Sequence, residues 1–144
     1  MSHRAQQIID KVALLLETQT GFPSHVQHAL TLGAENNELP AYAVFLGSES
    51  AEEADYQTIG SELQLIVTAY AQGTTERLAL NQLFDLRTQA HIALMANSTL
   101  GLSFVSRTLF GGADAPEILA GSFMNGRQST TWLVHYEMNI TDPS

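Results

Sequence analysis

The stretch Ser129-Thr-Thr-Trp-Leu-Val-His-Tyr-Glu-Met-Asn-Ile140 decides the fold. Trp132, Val134, Tyr136, Met138 and Ile140 fall on one face and Leu133, His135, Glu137 and Asn139 on the other, the period of two that a half-buried strand requires. A chain that closes this way is expected to finish inside its own sheet.

Working back from that strand, Thr99 to Phe110 predicts another, with Leu102, Phe104 and Leu109 inward and Gly111-Gly112 breaking it. Between the two, residues 113–128 leave two readings open. Asp114-Ala115-Pro116-Glu117 opens a short helix with proline at its first position, or the segment is an extended loop ending at the turn dipeptide Asn125-Gly126. Further upstream, Thr75 followed by Glu76 starts a helix whose inner stripe is Ala79, Leu83, Leu86, Ala90 and Leu94. Arg77, Asp85, Arg87 and Gln89 lie outside that stripe, and the helix fades by Asn97-Ser98.

Glu62 to Tyr70 alternates as a strand, the natural antiparallel partner of Ala41 to Leu46, which is nearly apolar on both faces as a central strand should be. Gly47 to Gly60 between them is acidic and lacks apolar periodicity, and reads as a projecting loop. Gly33 to Glu38 is a polar loop, after which Leu39-Pro40 restarts an extended segment. Val26, Leu30 and Leu32 suggest a weak edge strand. At the front, Ser2 caps a helix in which Ala5, Ile8, Ile9, Val12, Leu15 and Leu16 form one apolar stripe, ended by Gly21-Phe22-Pro23. The expected architecture is a single α+β domain over residues 1–144, an antiparallel-rich sheet of about four to five strands with two main helices packed on one face.

At 144 residues such a domain buries roughly two thirds of its unfolded surface and needs no staples. The absence of cysteine excludes disulfides, thiolate metal sites and thiol catalysis. The N-terminal residues carry no apolar signal core, and no apolar run approaches the ~18 residues of a membrane span, so synthesis in the cytoplasm is expected. The net charge of −9 is uneven: from Val12 to Thr75 there is no Lys or Arg, while Glu17, Glu35, Glu38, Glu49, Glu52, Glu53, Asp55 and Glu62 lie there. That field repels phosphate backbones and anionic lipid, which argues against direct nucleic-acid or membrane binding.

Catalytic and metal chemistry find little footing. His3, His25, His28, His91 and His135 do not group as ligands, and no metal or cofactor site is expected. His135 and Glu137 share a strand face, a pattern that ordinary polar-out alternation produces without any acid-base role. Glu52, Glu53 and Asp55 lack the rigid surroundings that paired catalytic carboxylates need. Gly111-Gly112 has neither the spaced glycines nor the lysine of a phosphate loop, and no Gly-x-Ser-x-Gly elbow occurs. Trp132, Tyr136, Phe104, Phe45 and Tyr42 read as core aromatics. Phe110, at the end of its strand, is either core or an exposed interface anchor.

The amphipathic first helix, Glu38-Leu39-Pro40-Ala41-Tyr42-Ala43-Val44 with the acidic stretch after it, Leu63 to Tyr70, the helix after Thr75, Ser98-Thr99-Leu100-Gly101 and Trp132-Leu133-Val134-His135-Tyr136-Glu137-Met138 together resemble the tail terminator proteins of long-tailed bacteriophages, the family of the lambda minor tail protein U. The resemblance covers nearly the whole chain in order, and its motifs are short and degenerate. It implies a subunit without a cofactor that acts by binding, forming a hexameric homo-oligomeric ring at the head-proximal end of the virion tail. Its further partners would be the tail tube protein, whose polymerisation it ends, and the head-tail connector protein. Rings need heterologous interfaces, and the candidate subunit or tube contacts are Glu49, Glu52, Glu53, Asp55, Tyr56, Phe110 and Asp114, with the edge segment Val26 to Leu32 available for strand pairing. Two other classes remain: a neighbouring head-tail completion or neck protein, and a small α+β enzyme or ligand-binding domain.

Overall fold

A computed structural model describes residues 3–27, 40–53, 58–120 and 124–139. In chain order these form α1 (Arg4–Thr20), β1 (Ser24–Val26), β2 (Ala41–Glu53), β3 (Thr58–Gly73), α2 (Glu76–Ala96), β4 (Val105–Ala113), β5 (Glu117–Ala120) and β6 (Met124–Asn139). The fold is α+β: a six-stranded, mostly antiparallel sheet of order β1-β2-β3-β6-β4, with β5 pairing β6 alongside β4.

Alternation along β6 does what the sequence demands. Trp132, Val134 and Tyr136 are buried against both helices, together with Tyr42 and Val44 of β2 and Leu63, Leu65 and Val67 of β3. Every apolar position expected for the α1 stripe is buried, as are Ala79, Leu83, Leu86, Ala90 and Leu94 of α2. Each large apolar side chain so buried contributes about 1.5–3 kcal/mol. The exposed Arg127–Glu117 ion pair (2.7 Å) contributes at most about 1 kcal/mol, so core burial rather than surface charge holds the sheet to its helices.

Both helices start on side-chain caps. Thr75 Oγ1 accepts the Leu78 N–H (3.2 Å), as its position predicts, and His3 Nδ1 accepts the Ala5 N–H (2.9 Å). Ser2, expected to cap α1, lies outside the described residues. The helix ends at Gly21, whose φ of 80° suits glycine and lets its N–H return to the Glu17 carbonyl (3.0 Å).

Several expectations are corrected. Gly47 to Gly60 is not one projecting loop: β2 continues to Glu53 and β3 begins at Thr58, with Glu49 opposite Leu63 and Glu53 opposite Ile59. A bulge between Leu46 and Glu49 absorbs the misfit, stapled by Gln64 Oε1, which accepts the Ser48 N–H (3.2 Å) and hydroxyl (3.1 Å). The edge strand exists as Ser24–Val26, in parallel with β2, and Leu30 and Leu32 lie outside the described residues. Residues 97–104 form turns, so β4 starts at Val105; Leu102 and Phe104 still pack on the core. A register shift between Val105 and Arg107 directs Leu109 to the helix-free face, opposite Leu133. Gly111-Gly112 bulges β4 without ending it.

Among the described residues of 113–128 there is no helix, and Asn125-Gly126 does not end the segment as a turn. Glu117–Ala120 is a strand, and Asn125-Gly126 lies inside β6, opposite Gln72 and Ala71. The glycine serves close packing: a Cβ at Gly126 would sit 2.8 Å from Leu83 Cδ1 and 2.9 Å from Ile118 Cδ1. Gly126→Val should therefore lower unfolding free energy by about 1–3 kcal/mol through overpacking, as measured by urea denaturation.

Candidate functional site

The residues singled out as interface candidates separate onto opposite sides of the sheet. Glu49, Glu52 and Glu53 lie on β2, and Phe110 lies on β4 at the other edge, with Asp114 immediately after it. Asp55 and Tyr56 lie outside the described residues. Among the described residues no single site gathers these groups.

Glu49 is exposed but structurally engaged: its carboxylate accepts a short hydrogen bond from the Tyr136 hydroxyl, tying β2 beyond its bulge to β6. Asp114 is exposed and anchored through its backbone, its N–H donating to the Ser129 carbonyl (2.9 Å) and its carbonyl accepting from Gln128 Nε2 (2.9 Å). His135 pairs not with Glu137 but with Glu62 across the strands (Nε2 to Oε2, 3.3 Å). Arg107 lies opposite His135 on β4, so one row of the helix-free face reads Glu62, His135, Arg107.

Phe110 is the exposed end of an aromatic stack. Its ring lies 5.2 Å from that of Trp132 and 5.3 Å from His91, and His91 is itself 5.4 Å from Trp132. Trp132 is buried, with Nε1 donating to Thr130 Oγ1 (3.0 Å), so the stack stands on a fixed base. The Arg87 guanidinium covers Phe110 at 5.7 Å from the ring centre. Around it, Phe84, Arg87, Thr88, His91 and Ile92 line a shallow cleft of about 350 Å3 on α2. Phe84 (47%), Ile92 (63%), Met95 (43%) and Phe110 (37%) all keep large apolar surface in solvent.

Sequence reasoning identified Phe110 but not this α2 flank. The available signal was the second apolar set at Phe84, Ile92 and Met95, outside the inner stripe.

Among the described residues no group of three or more His, Cys, Asp or Glu is arranged to hold a metal ion, and no helix is long and apolar enough to cross a membrane.

No protein-family model matches the chain, and no curated protein matches it in sequence. Its fold does match a solved structure, a chain in the virion of a native gene transfer agent particle. The TM-score is 0.50 at 16% identity, over 88% of this chain and 84% of that one. At that identity the likeness is one of fold.

The buried tyrosines make the site's packing sensitive to alkali. Burial, reinforced by the hydrogen bond to Glu49 and by that carboxylate's charge, pushes the Tyr136 phenol well above its ordinary value. Burial also raises Tyr42, outweighing the opposing hydrogen bond from Thr20, while the Asp85 charge adds to the rise. The folded state thus holds both protons more tightly than the unfolded chain. The stability this contributes is intact below pH about 10 and is lost as pH rises through and above that value. Chemical denaturation across that window should show stability falling, with a shallower fall in Tyr136→Phe.

Proposed function

We propose that the protein is a structural component of a phage-like virion that closes the tail tube as a homo-oligomeric ring, probing no substrate and performing no chemistry. In this role it ends tube polymerisation and presents a surface to which the head connector joins. The observation carrying the proposal is the fold-level match to a virion chain over most of both lengths. The sequence resemblance to tail terminators narrows the role within a virion, and the unlike edges of the sheet suit it. A ring subunit must offer two different surfaces, one to each neighbour. Here β2 carries Glu49, Glu52 and Glu53 at one side, while β4 carries Arg107 and Phe110 at the other.

The match is to a chain of the whole particle, which favours a neighbouring head-tail completion role equally; the effect on tube growth separates the two. Sedimentation across a concentration and salt series should reveal a ring, hexameric by the family resemblance, that weakens as ionic strength rises. Added to polymerising tail tube protein, the chain should halt elongation at substoichiometric amounts. A strict monomer under all conditions, tube protein included, would sink the ring; a ring without effect on elongation would move the protein to the completion role.

A further inference from the structure

We infer that the flank where α2 meets β4 is the surface on which a second copy of this chain docks, with Arg87 facing the acidic outer edge of that copy's β2. The inference rests on the ring proposed above and specifies which surfaces make it.

The flank has the composition of an interface core. Phe84, Ile92 and Phe110 are large, apolar and exposed and lie about one arginine, with the exposed Met95 further along the same helix, a combination in which binding energy concentrates. Phe110 is held in place by Trp132 and His91, so little side-chain entropy is lost when a partner covers it.

Charge selects the occupant. Arg87 pairs with no carboxylate among the described residues; its contact is the face of Phe110. The chain itself supplies the complementary surface, since residues 12–75 contain no Lys or Arg and β2 carries Glu49, Glu52 and Glu53. Ser48 to Ala51 of that edge are exposed, and among the described residues β1 pairs only with Tyr42 to Val44 and no strand pairs β2 on its outer side from Gly47 to Glu53. Because the two surfaces lie on opposite sides of one sheet, the contact is head-to-tail. Such a contact repeats from copy to copy and closes into a ring when its rotation allows.

The test uses the full chain. Ile92→Ser alters an exposed group and Arg87→Glu a half-buried one, and melting curves check that each variant is folded. The concentration for half-assembly, measured by light scattering, should rise more than about tenfold in either variant. Adding Glu52→Lys or Glu53→Lys to Arg87→Glu should recover part of the loss, because the reversed charges meet again across the contact. Trp132, the single tryptophan, lies beneath Phe110, and its emission should shift as wild type assembles. Variants that assemble at the wild-type concentration would overturn this inference and leave the ring intact. Failure of both lysines to rescue would overturn the assignment of β2 as the opposing surface. A wild-type chain that stays monomeric with and without tube protein would remove both proposals.

Discussion

The pairing of β3 with β6 is the constraint on which the rest of the molecule depends. It runs antiparallel without a register break from Thr58 opposite Asn139 to Gly73 opposite Met124. Side chains alternate across a strand, so this one register decides which residues meet the helices. A slip of one residue in β6 would send Leu133, His135 and Glu137 toward α1 and α2 and turn Trp132, Val134 and Tyr136 outward. Burying an unpaired carboxylate costs far more than any gain from burying Leu133, which makes the observed register the only tolerable one.

From that pair the sheet grows outward in both directions, and its irregularities collect away from the centre. β2 joins β3 with a bulge at Gly47-Ser48, and β4 joins β6 with shifts near Ser106 and Gly111. The row Leu65, Trp132, Phe110 crosses three strands on the helix face and passes from buried to partly exposed. His91 and Arg87 of α2 complete that row at its outer end. The packing that fixes Trp132 in the core therefore also fixes the orientation of the exposed Phe110, and the surface inherits the rigidity of the interior.

How much of this was legible in the sequence follows from which signals periodicity carries. Both helices and the buried face of β6 were legible because their apolar residues repeat at the period of the element that holds them. The outer halves of β2 and β3 were not, because Glu49, Ser50 and Ala51 are all exposed and mark no buried face; the strand character of this part of β2 comes from the ladder with β3, which β6 in turn holds in place. Asn125-Gly126 misled for a related reason. The dipeptide favours a turn locally, but inside the strand the methyl ends of Leu83 and Ile118 come so close to Gly126 that any side chain there would have to displace them. Phe110 was recognisable as an oddity at a strand end, whereas its neighbours Phe84 and Ile92 belong to a different element, and sequence spacing cannot show that α2 lies against β4.

The edges also constrain how any neighbour can attach. A long, regular, unpaired strand invites a second chain to extend the sheet through backbone hydrogen bonds. β4 is displaced from regular geometry twice within nine residues, and β1 is three residues long. Neither offers a continuous template for strand addition, and of the Val26 to Leu32 segment expected to pair with another copy only Val26 is a described strand residue, already engaged with β2. In the interface proposed above, association would run through side-chain surface, with affinity set by anchors such as Phe110 and partner choice set by charge. Such a contact joins two unlike surfaces, and a head-to-tail contact of that kind closes into a ring only when its rotation brings the last copy back to the first.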